Sequence, residues 1–225
     1  MTQIEVSGLT KIFSVGDQDI TAVNAVSLGI KKGEFVSIVG HSGSGKTTLI
    51  SIIGGIMKPT SGKVLFDGKD ICSLDDDKLS AYRNENIGFM FQFASLLPML
   101  TSTENVLLPG LFSRKKDLHA VKMAEEYLGL VGIGDKADAY PSQLSGGQQR
   151  RVAIARALMY NPPVILADEP TGDLDEETEA DIMELFRILN REKMVTFIFI
   201  THNLELAGMA SRQLRMTRGN LSEVR

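Results

Sequence analysis

A glycine-rich run near the start of the chain has the residue types needed to hold a chain of phosphates. The run, Gly40-His41-Ser42-Gly43-Ser44-Gly45-Lys46-Thr47, fits the pattern G-x-x-x-x-G-K-[ST] at every fixed position. Glycines let the backbone curl so that successive N–H groups converge on one anion. Lys46 adds a positive charge for the β- and γ-phosphates, and the Thr47 hydroxyl is a ligand for Mg²⁺. The run and the following Thr48 are therefore predicted to bind a nucleotide and its metal ion.

Two carboxylates stand at the end of an apolar segment in the second half of the chain. Residues 164–167 read Val-Ile-Leu-Ala, and Asp168 and Glu169 follow directly. In parallel α/β sheets, ligands bind beyond the carboxyl ends of the strands. Asp168 is then placed to hold Mg²⁺, and Glu169 to accept a proton from water. The alternative is an ordinary acidic turn, but the phosphate loop in the same chain favours the metal site.

A second glycine-rich turn precedes a helical segment and predicts a second anion site. It consists of Ser145, Gly146, Gly147 and Gln148 after Leu144. A chain that binds one nucleotide has no evident need for two cradles around the γ-phosphate. A head-to-tail pair of chains resolves this, because each turn then serves the nucleotide of the partner.

The segments that position these residues alternate between short apolar runs and helical periodicity. Residues 4–6, 25–30, 35–39 and 63–66 are predicted strands, and 164–167 and 195–200 are predicted buried parallel strands. Ser73 and Asp76 have the spacing of a capping box. Two sets of residues have the spacing of one helical face: Leu118, Val121, Ala124, Leu128 and Val131; and Ile182, Leu185, Phe186 and Leu189. Strands that alternate with helices predict an α/β fold.

The Leu-Ser-Gly-Gly-Gln turn beside a phosphate loop resembles the signature of ABC transporter nucleotide-binding subunits. The resemblance covers essentially the whole chain and includes every expected motif in order. It implies that Gln92 is the Q-loop glutamine, which helps arrange the metal and the water. It also implies that Asp175 is the D-loop aspartate, that His202 contacts the γ-phosphate and orients Glu169, and that Phe13 stacks on adenine. The alternatives are that Gln92 is a surface amide, Phe13 a core aromatic and His202 a structural histidine. Asp173 replaces an asparagine that is often found there.

The same resemblance implies a domain organisation. The chain, residues 1–225, is then one ABC ATPase domain with a P-loop NTPase (RecA-like) α/β core at about 1–92 and 159–225. An N-terminal antiparallel β subdomain joins the core. A helical subdomain at about 93–158 is inserted and carries the signature turn.

Residues 91–98, 103–109 and 201–207 are similar to the branch that contains lipoprotein-releasing LolD and the efflux protein MacB, and to LolD in particular. The implied function is ATP hydrolysis by a subunit of a bacterial transporter that dimerises on ATP and drives membrane subunits of the LolC/LolE or MacB type.

An alternative function, an FtsE-like switch that controls cell-wall hydrolases, shares every motif named above. A soluble ABC ATPase of translation or DNA repair does not fit, because such proteins usually carry two cassettes or a long coiled-coil insertion. The chain contains no N-K-x-D run, which favours ATP over GTP.

Composition restricts the partners. The formal net charge of −4 gives no basic excess, so no nucleic-acid partner is predicted. No apolar run approaches the roughly 18 residues that span a bilayer, and the first residues lack the pattern of a signal peptide. We therefore expect a cytoplasmic protein that is held on the inner face of the membrane, as a peripheral subunit, by its partner.

The segment at 92–109 contains apolar residues that either line a groove for a partner helix or pack the helical subdomain: Phe93, Leu96, Leu97, Met99 and Leu100.

Overall fold

The computed structural model describes residues 1–112, 118–172 and 174–224. Within these ranges the chain forms ten strands and seven α-helices. The strands are β1 (Thr2–Val15), β2 (Gln18–Lys31), β3 (Phe35–Val39), β4 (Ser61–Phe66), β5 (Lys69–Asp70), β6 (Ile87–Met90), β7 (Val164–Asp168), β8 (Thr196–Ile200), β9 (Arg212–Thr217) and β10 (Asn220–Glu223). The helices are α1 (Lys46–Ile53), α2 (Asp76–Asn86), α3 (Ser102–Leu107), α4 (Ala120–Leu130), α5 (Gly146–Leu158), α6 (Glu176–Lys193) and α7 (Leu204–Gly208).

A six-stranded sheet forms the centre of the molecule, in the order β10-β9-β3-β8-β7-β6. All neighbours are parallel except β10 and β9. Every residue of β3, β7 and β8 is buried, which confirms the buried parallel strands predicted at 164–167 and 195–200. Asp168 lies opposite Ile200, and Ile200 lies opposite Ile38. The carboxyl ends of these three strands therefore reach the same edge of the sheet.

A second, antiparallel sheet has the order β2-β1-β4-β5 and confirms the predicted N-terminal strands. β1 and β2 are 14 residues long, much longer than the segments predicted at 4–6 and 25–30. The outer half of the hairpin is exposed: Val15 is 63% and Ile20 is 52% accessible. Burial on one face gives a strand its alternating pattern, so this half of the hairpin carries no such signal.

The hydrophobic core consists of two clusters, one on each face of the central sheet. On one face, Phe35 of β3 and Phe186 of α6 pack against Phe197 of β8, with ring centroids 5.7 and 5.1 Å away. On the other face, Val36 and Ile198 belong to the cluster formed with α1 and the antiparallel sheet. Side chains alternate between these two clusters along each strand, which fixes the register of the sheet.

The predicted cap of α2 is wrong. Asp75, not Ser73, caps this helix, because its carboxylate accepts the N–H of Lys78 at 2.8 Å. The Ser73 hydroxyl instead donates to the Asp70 carbonyl at 2.9 Å, in the turn before the helix. An aspartate one residue before the helix is an equally good cap, and only the backbone path decides between the two candidates.

The predicted faces of the later helices fare differently. Ile182, Phe186 and Leu189 of α6 are buried, as expected. Leu118 and Val121 are exposed, and the buried residues of α4 are Ala124, Tyr127 and Leu128. Leu118 precedes the first residue of α4, and Val121 lies at the margin of the apolar stripe. Those two predictions are therefore wrong.

Between β6 and β7, the described residues form helices, turns and loops without a strand. In the part of the chain that the structure describes, no helix has both the length and the apolar character to cross a membrane.

Candidate active site

The phosphate loop connects the end of β3 to the start of α1. Gly45 immediately precedes the helix with φ 103°, a left-handed conformation that glycine adopts without steric cost. A Cβ atom at Gly45 would also collide with the Ala22 carbonyl oxygen of β2. Both constraints require glycine here, so the antiparallel sheet fixes the shape of the loop.

The first turn of α1 leaves backbone donors for a ligand. The helix begins at Lys46, and no side chain of the described residues caps it. The N–H groups of Lys46, Thr47 and Thr48 have no acceptor within their own helix. They border a cleft of about 240 Å³, which is lined by Ala22, residues 42–48, Gln92, Asp168 and Glu169. A helix N-terminus of this kind binds anions, above all phosphate.

Lys46 lies in this cleft with only 7% of its surface exposed. Its ammonium group donates to the carbonyls of Gly40 at 2.7 Å and His41 at 2.9 Å. Burial lowers the pKa of Lys46, and the negative charges of Glu169 and Asp168 oppose that shift. The positive charge is thus poorly solvated, and an anion in the loop would compensate it.

Asp168 and Thr47 place oxygen atoms together beside the phosphate loop. Burial raises the pKa of the Asp168 carboxyl; the hydrogen bond from the Thr47 side chain lowers it, and the nearby Glu169 raises it further. Carboxylate and hydroxyl oxygens are the ligands that Mg²⁺ prefers. In addition, the Ser44 hydroxyl is buried without a hydrogen-bond partner among the described residues. These atoms fit a magnesium ion and a phosphate group.

Replacement of Asp168 by asparagine is expected to raise the Tm of the nucleotide-free protein. Because the folded-state pKa lies above the ordinary 3.8, the ionised carboxylate destabilises the fold at neutral pH. The gain should be fully present at pH 7 and disappear as the pH falls through the folded pKa towards 3.8, where the native side chain is also neutral. Thermal unfolding from pH 4 to pH 8 measures this. A lower Tm for the variant at pH 7 would contradict it.

Glu169 follows β7 in a conformation that is uncommon for a non-glycine residue. Its φ is 46°, and its N–H donates to the Ile200 carbonyl at 3.1 Å. A left-handed backbone of this kind costs about 1–3 kcal/mol, and such strain clusters at functional sites. The His202 Nδ1 atom lies 3.5 Å from Glu169 Oε2. The structure therefore brings together the two residues that were expected to act as base and base-orienting group.

Gln92 reaches the same cleft from the end of β6. Two arginines of α5 hold the backbone that carries it. Arg150 donates to the carbonyls of residues 91 and 92 at 3.1 and 2.7 Å, and Arg156 donates to those of residues 94 and 95 at 2.7 and 2.8 Å. Sequence reasoning missed both arginines. Their position in a largely buried helix was the available signal, since a buried arginine needs acceptors.

Several predicted site residues do not line this cleft. Gly40 and His41 directly precede its lining residues in the sequence, and His202 lies beside Glu169. Three further sets lie elsewhere. Ser145 caps α5: its hydroxyl accepts the Gln148 N–H at 3.2 Å, and its own N–H donates to the Gln148 side chain at 2.9 Å. Asp175 caps α6, and its carboxylate accepts the Thr178 N–H at 3.0 Å. Hydrogen bonding to Thr178 lowers the pKa of Asp175. Phe13 lies on β1 with the Lys11 ammonium 5.2 Å from its ring. Asp173 is outside the described residues.

A family model described as ABC transporter matches residues 23–172. The chain belongs to the ABC transporter family. It is an ATP-hydrolysing cassette of that family, and the α/β P-loop fold predicted from the sequence is confirmed.

Individual relatives of the cassette differ in length. It is 44% identical to the lipoprotein-releasing system ATP-binding protein LolD of Syntrophus aciditrophicus, over 97% of this chain and 98% of the relative. It is 43% identical to the macrolide export ATP-binding/permease protein MacB of Rhodopirellula baltica, over 98% of this chain but only 32% of that relative. A dimeric, post-hydrolysis structure of the ATP-binding cassette MJ0796 of Methanocaldococcus jannaschii, bound to ADP and phosphate, matches with a TM-score of 0.91 at 43% identity, over 99% of each chain.

Proposed function

We propose that two copies of the cassette bind two ATP molecules head to tail and drive integral membrane subunits that release lipoproteins or export substrates. One observation carries this proposal: the Ser145 turn does not line the cleft formed by the phosphate loop of its own chain. A second copy would bring the two together. The names of the relatives support release or MacB-type export over an FtsE-like switch. The cassette would then lie on the cytoplasmic face of the membrane, held by its partner.

The chain's own residues supply positioning and charge for phosphoryl transfer. The N–H groups of residues 45–47 and the Lys46 ammonium hold the triphosphate. Mg²⁺, held by Thr47 and Asp168 with Gln92 beside it, would neutralise charge on the phosphates. Glu169 accepts the proton of the attacking water as the water oxygen bonds to the γ-phosphorus and the bond from that phosphorus to the bridging oxygen breaks, so that ADP leaves. His202 keeps the Glu169 carboxylate in place.

The second half of each site comes from the partner copy in this proposal. Ser145 and Gly147 stand at the N-terminus of α5, where backbone N–H groups can receive the γ-phosphate. Phe13, which is not assigned to the partner copy, stacks on the adenine, and Asp175 lies at the dimer interface. ATP therefore holds the two copies together, and loss of the γ-phosphate releases them.

A mixing experiment tests the head-to-tail arrangement. Lys46→Ala chains and Ser145→Arg chains are each expected to be inactive, because both sites of either homodimer carry a defect. A mixture of the two should regain about a quarter of the turnover per site, since half of the dimers contain one intact composite site. Phosphate release measures this. A mixture as inactive as the separate variants would contradict the shared site.

The proposed contact with the membrane subunits is an apolar surface next to the Q-loop. Its exposed residues are Phe93, Leu97 and Met99, with 66%, 43% and 75% of their surfaces accessible. Leu96 instead packs against the core. The buried Asn105 fixes the loop, because its side chain accepts the Leu97 N–H at 2.7 Å and donates to three carbonyls.

A cleft of about 420 Å³ lies in the same region, between β6 and the turn after α3. It is lined in part by Phe89, Leu108 and Phe112. An exposed apolar surface together with a nearby cleft of partly apolar lining is typical of a site that binds a short amphipathic helix. We propose that a cytoplasmic helix of the membrane subunit docks here.

Leu97→Asp is expected to abolish co-purification with the membrane subunits while the isolated cassette keeps its fold. The substitution places a charge in an apolar contact, which costs several kcal/mol of binding free energy. Co-purification in detergent measures the binding, and thermal unfolding confirms the fold. Leu204→Asp is the matched control, because Leu204 is exposed (62%) and lies on α7, outside the proposed contact. Equal recovery of the partner with both variants would refute the groove.

A further inference from the structure

Glu179 of α6 links two loops of the active site. Its Oε1 atom accepts the Thr171 hydroxyl at 2.8 Å, and its Oε2 atom lies 3.5 Å from the Asn203 side-chain nitrogen, which donates to it. Thr171 is only 3% exposed. Glu179 belongs to none of the motifs that the sequence singles out.

The two partners of Glu179 flank the residues proposed to activate water. Thr171 follows Glu169 by two positions, and Asn203 follows His202 directly. The Asn203 oxygen is already committed, because it accepts two N–H groups at the start of α7, at 2.9 and 3.4 Å. Only its N–H donors are available to Glu179. The bridge therefore needs an acceptor at position 179.

We propose that Glu179 is a positioning residue that sets the separation of His202 and Glu169. The inference rests on the proposed roles of these two residues. α6 begins at the D-loop and is anchored in the core through Ile182 and Phe186. Glu179 therefore attaches both active-site loops to the same rigid helix. Without the bridge, the loops after β7 and β8 lose their common attachment to α6 and keep only direct contacts such as the hydrogen bond from the Glu169 N–H to the Ile200 carbonyl. A small displacement of catalytic groups lowers the rate of the chemical step far more than it weakens substrate binding.

Glu179→Gln tests the bridge with almost no change of shape. The single glutamine oxygen can accept only one of the two donors: if it accepts the Thr171 hydroxyl, the new NH₂ group faces that of Asn203, and if it accepts the Asn203 NH₂ group, the buried Thr171 hydroxyl loses its acceptor. We expect kcat for ATP hydrolysis to fall about tenfold with little change in the KM for ATP. Glu177→Gln is the matched control: it removes the same charge from the first turn of the same helix, at an exposed position, and should retain the unsubstituted kcat.

A compensating substitution separates this role from general destabilisation. In Glu179→Gln/Asn203→Asp, donor and acceptor exchange places, because the new amide donates to the new carboxylate. Aspartate caps a helix as well as asparagine does, so α7 keeps its cap. The double variant should regain kcat to within about threefold of the unsubstituted chain.

The outcomes distinguish the inference from the proposed function. Reduced kcat in Glu179→Gln with recovery in the double variant, at an unchanged Tm, supports the bridge. An unchanged kcat in Glu179→Gln overturns the bridge alone, and so does a double variant as slow as the single one. If the unsubstituted chain hydrolyses ATP but Glu169→Gln hydrolyses it equally fast, the proposed role of Glu169 fails, and the inference fails with it.

Discussion

Glu169→Gln is expected to lower ATP turnover by about 10²–10⁴-fold and to trap a stable ATP-bound dimer. The amide has nearly the shape of the carboxylate but cannot accept the proton of the attacking water. The substitution also removes a negative charge that raises the pKa of Asp168, so it lessens charge repulsion around the metal and the γ-phosphate. Hydrolysis stops while ATP still holds the two copies together.

Gel filtration with saturating Mg·ATP measures the dimer, and phosphate release measures turnover. The unsubstituted chain with ADP should elute as a monomer, and so should Glu169→Gln with ADP. Glu177→Gln, which carries the same change of charge on an exposed side chain, should hydrolyse ATP normally and not accumulate as a dimer. A monomeric Glu169→Gln at saturating ATP would count heavily against the proposed mechanism.

Lys46→Ala is expected to abolish turnover. The Lys46 ammonium is the one positive side chain among the described residues that line the cleft, so its loss leaves the triphosphate without that compensation. Loss of one such charge-stabilising group costs about 10²–10³-fold in rate, and weaker binding adds to this. Near-normal phosphate release by the variant would remove Lys46 from the mechanism.

Folding of the Lys46 variants needs its own measurement, because the side chain holds two carbonyls of the loop. Lys46→Met is the companion variant, since it keeps the length of the side chain and removes only the charge. Burial lowers the pKa of Lys46, so its positive charge destabilises the fold at neutral pH, and this penalty disappears only as the pH rises through the folded-state pKa towards 10.5. We therefore expect Lys46→Met to keep its Tm at pH 7 while it loses turnover. A collapse of the Tm would trace the lost activity to unfolding instead.

Much of the architecture was predictable because the signals are local. Phe35–Val39 and Thr196–Ile200 are apolar except for Ser37 and Thr196, and both are fully buried parallel strands. The long hairpin of β1 and β2 and the cap of α2 were misjudged. The outer half of the hairpin is exposed, so its sequence shows no alternation of buried apolar and exposed polar residues. At α2, several neighbouring side chains were plausible caps for the start of the helix.

The phosphate loop and the acidic pair could be located from the sequence alone. A glycine-rich turn between a strand and a helix, and carboxylates at a strand end, depend on backbone chemistry within about ten residues. The tertiary structure decided which of these loops meet. β3, β8, β7 and β6 are neighbours in the sheet although they are far apart in the chain, and this order brings His202 to within 3.5 Å of Glu169. The contacts of Arg150, Arg156 and Glu179 follow from the same packing. Such long-range contacts depend on sheet order and helix orientation, which no local pattern of residues specifies.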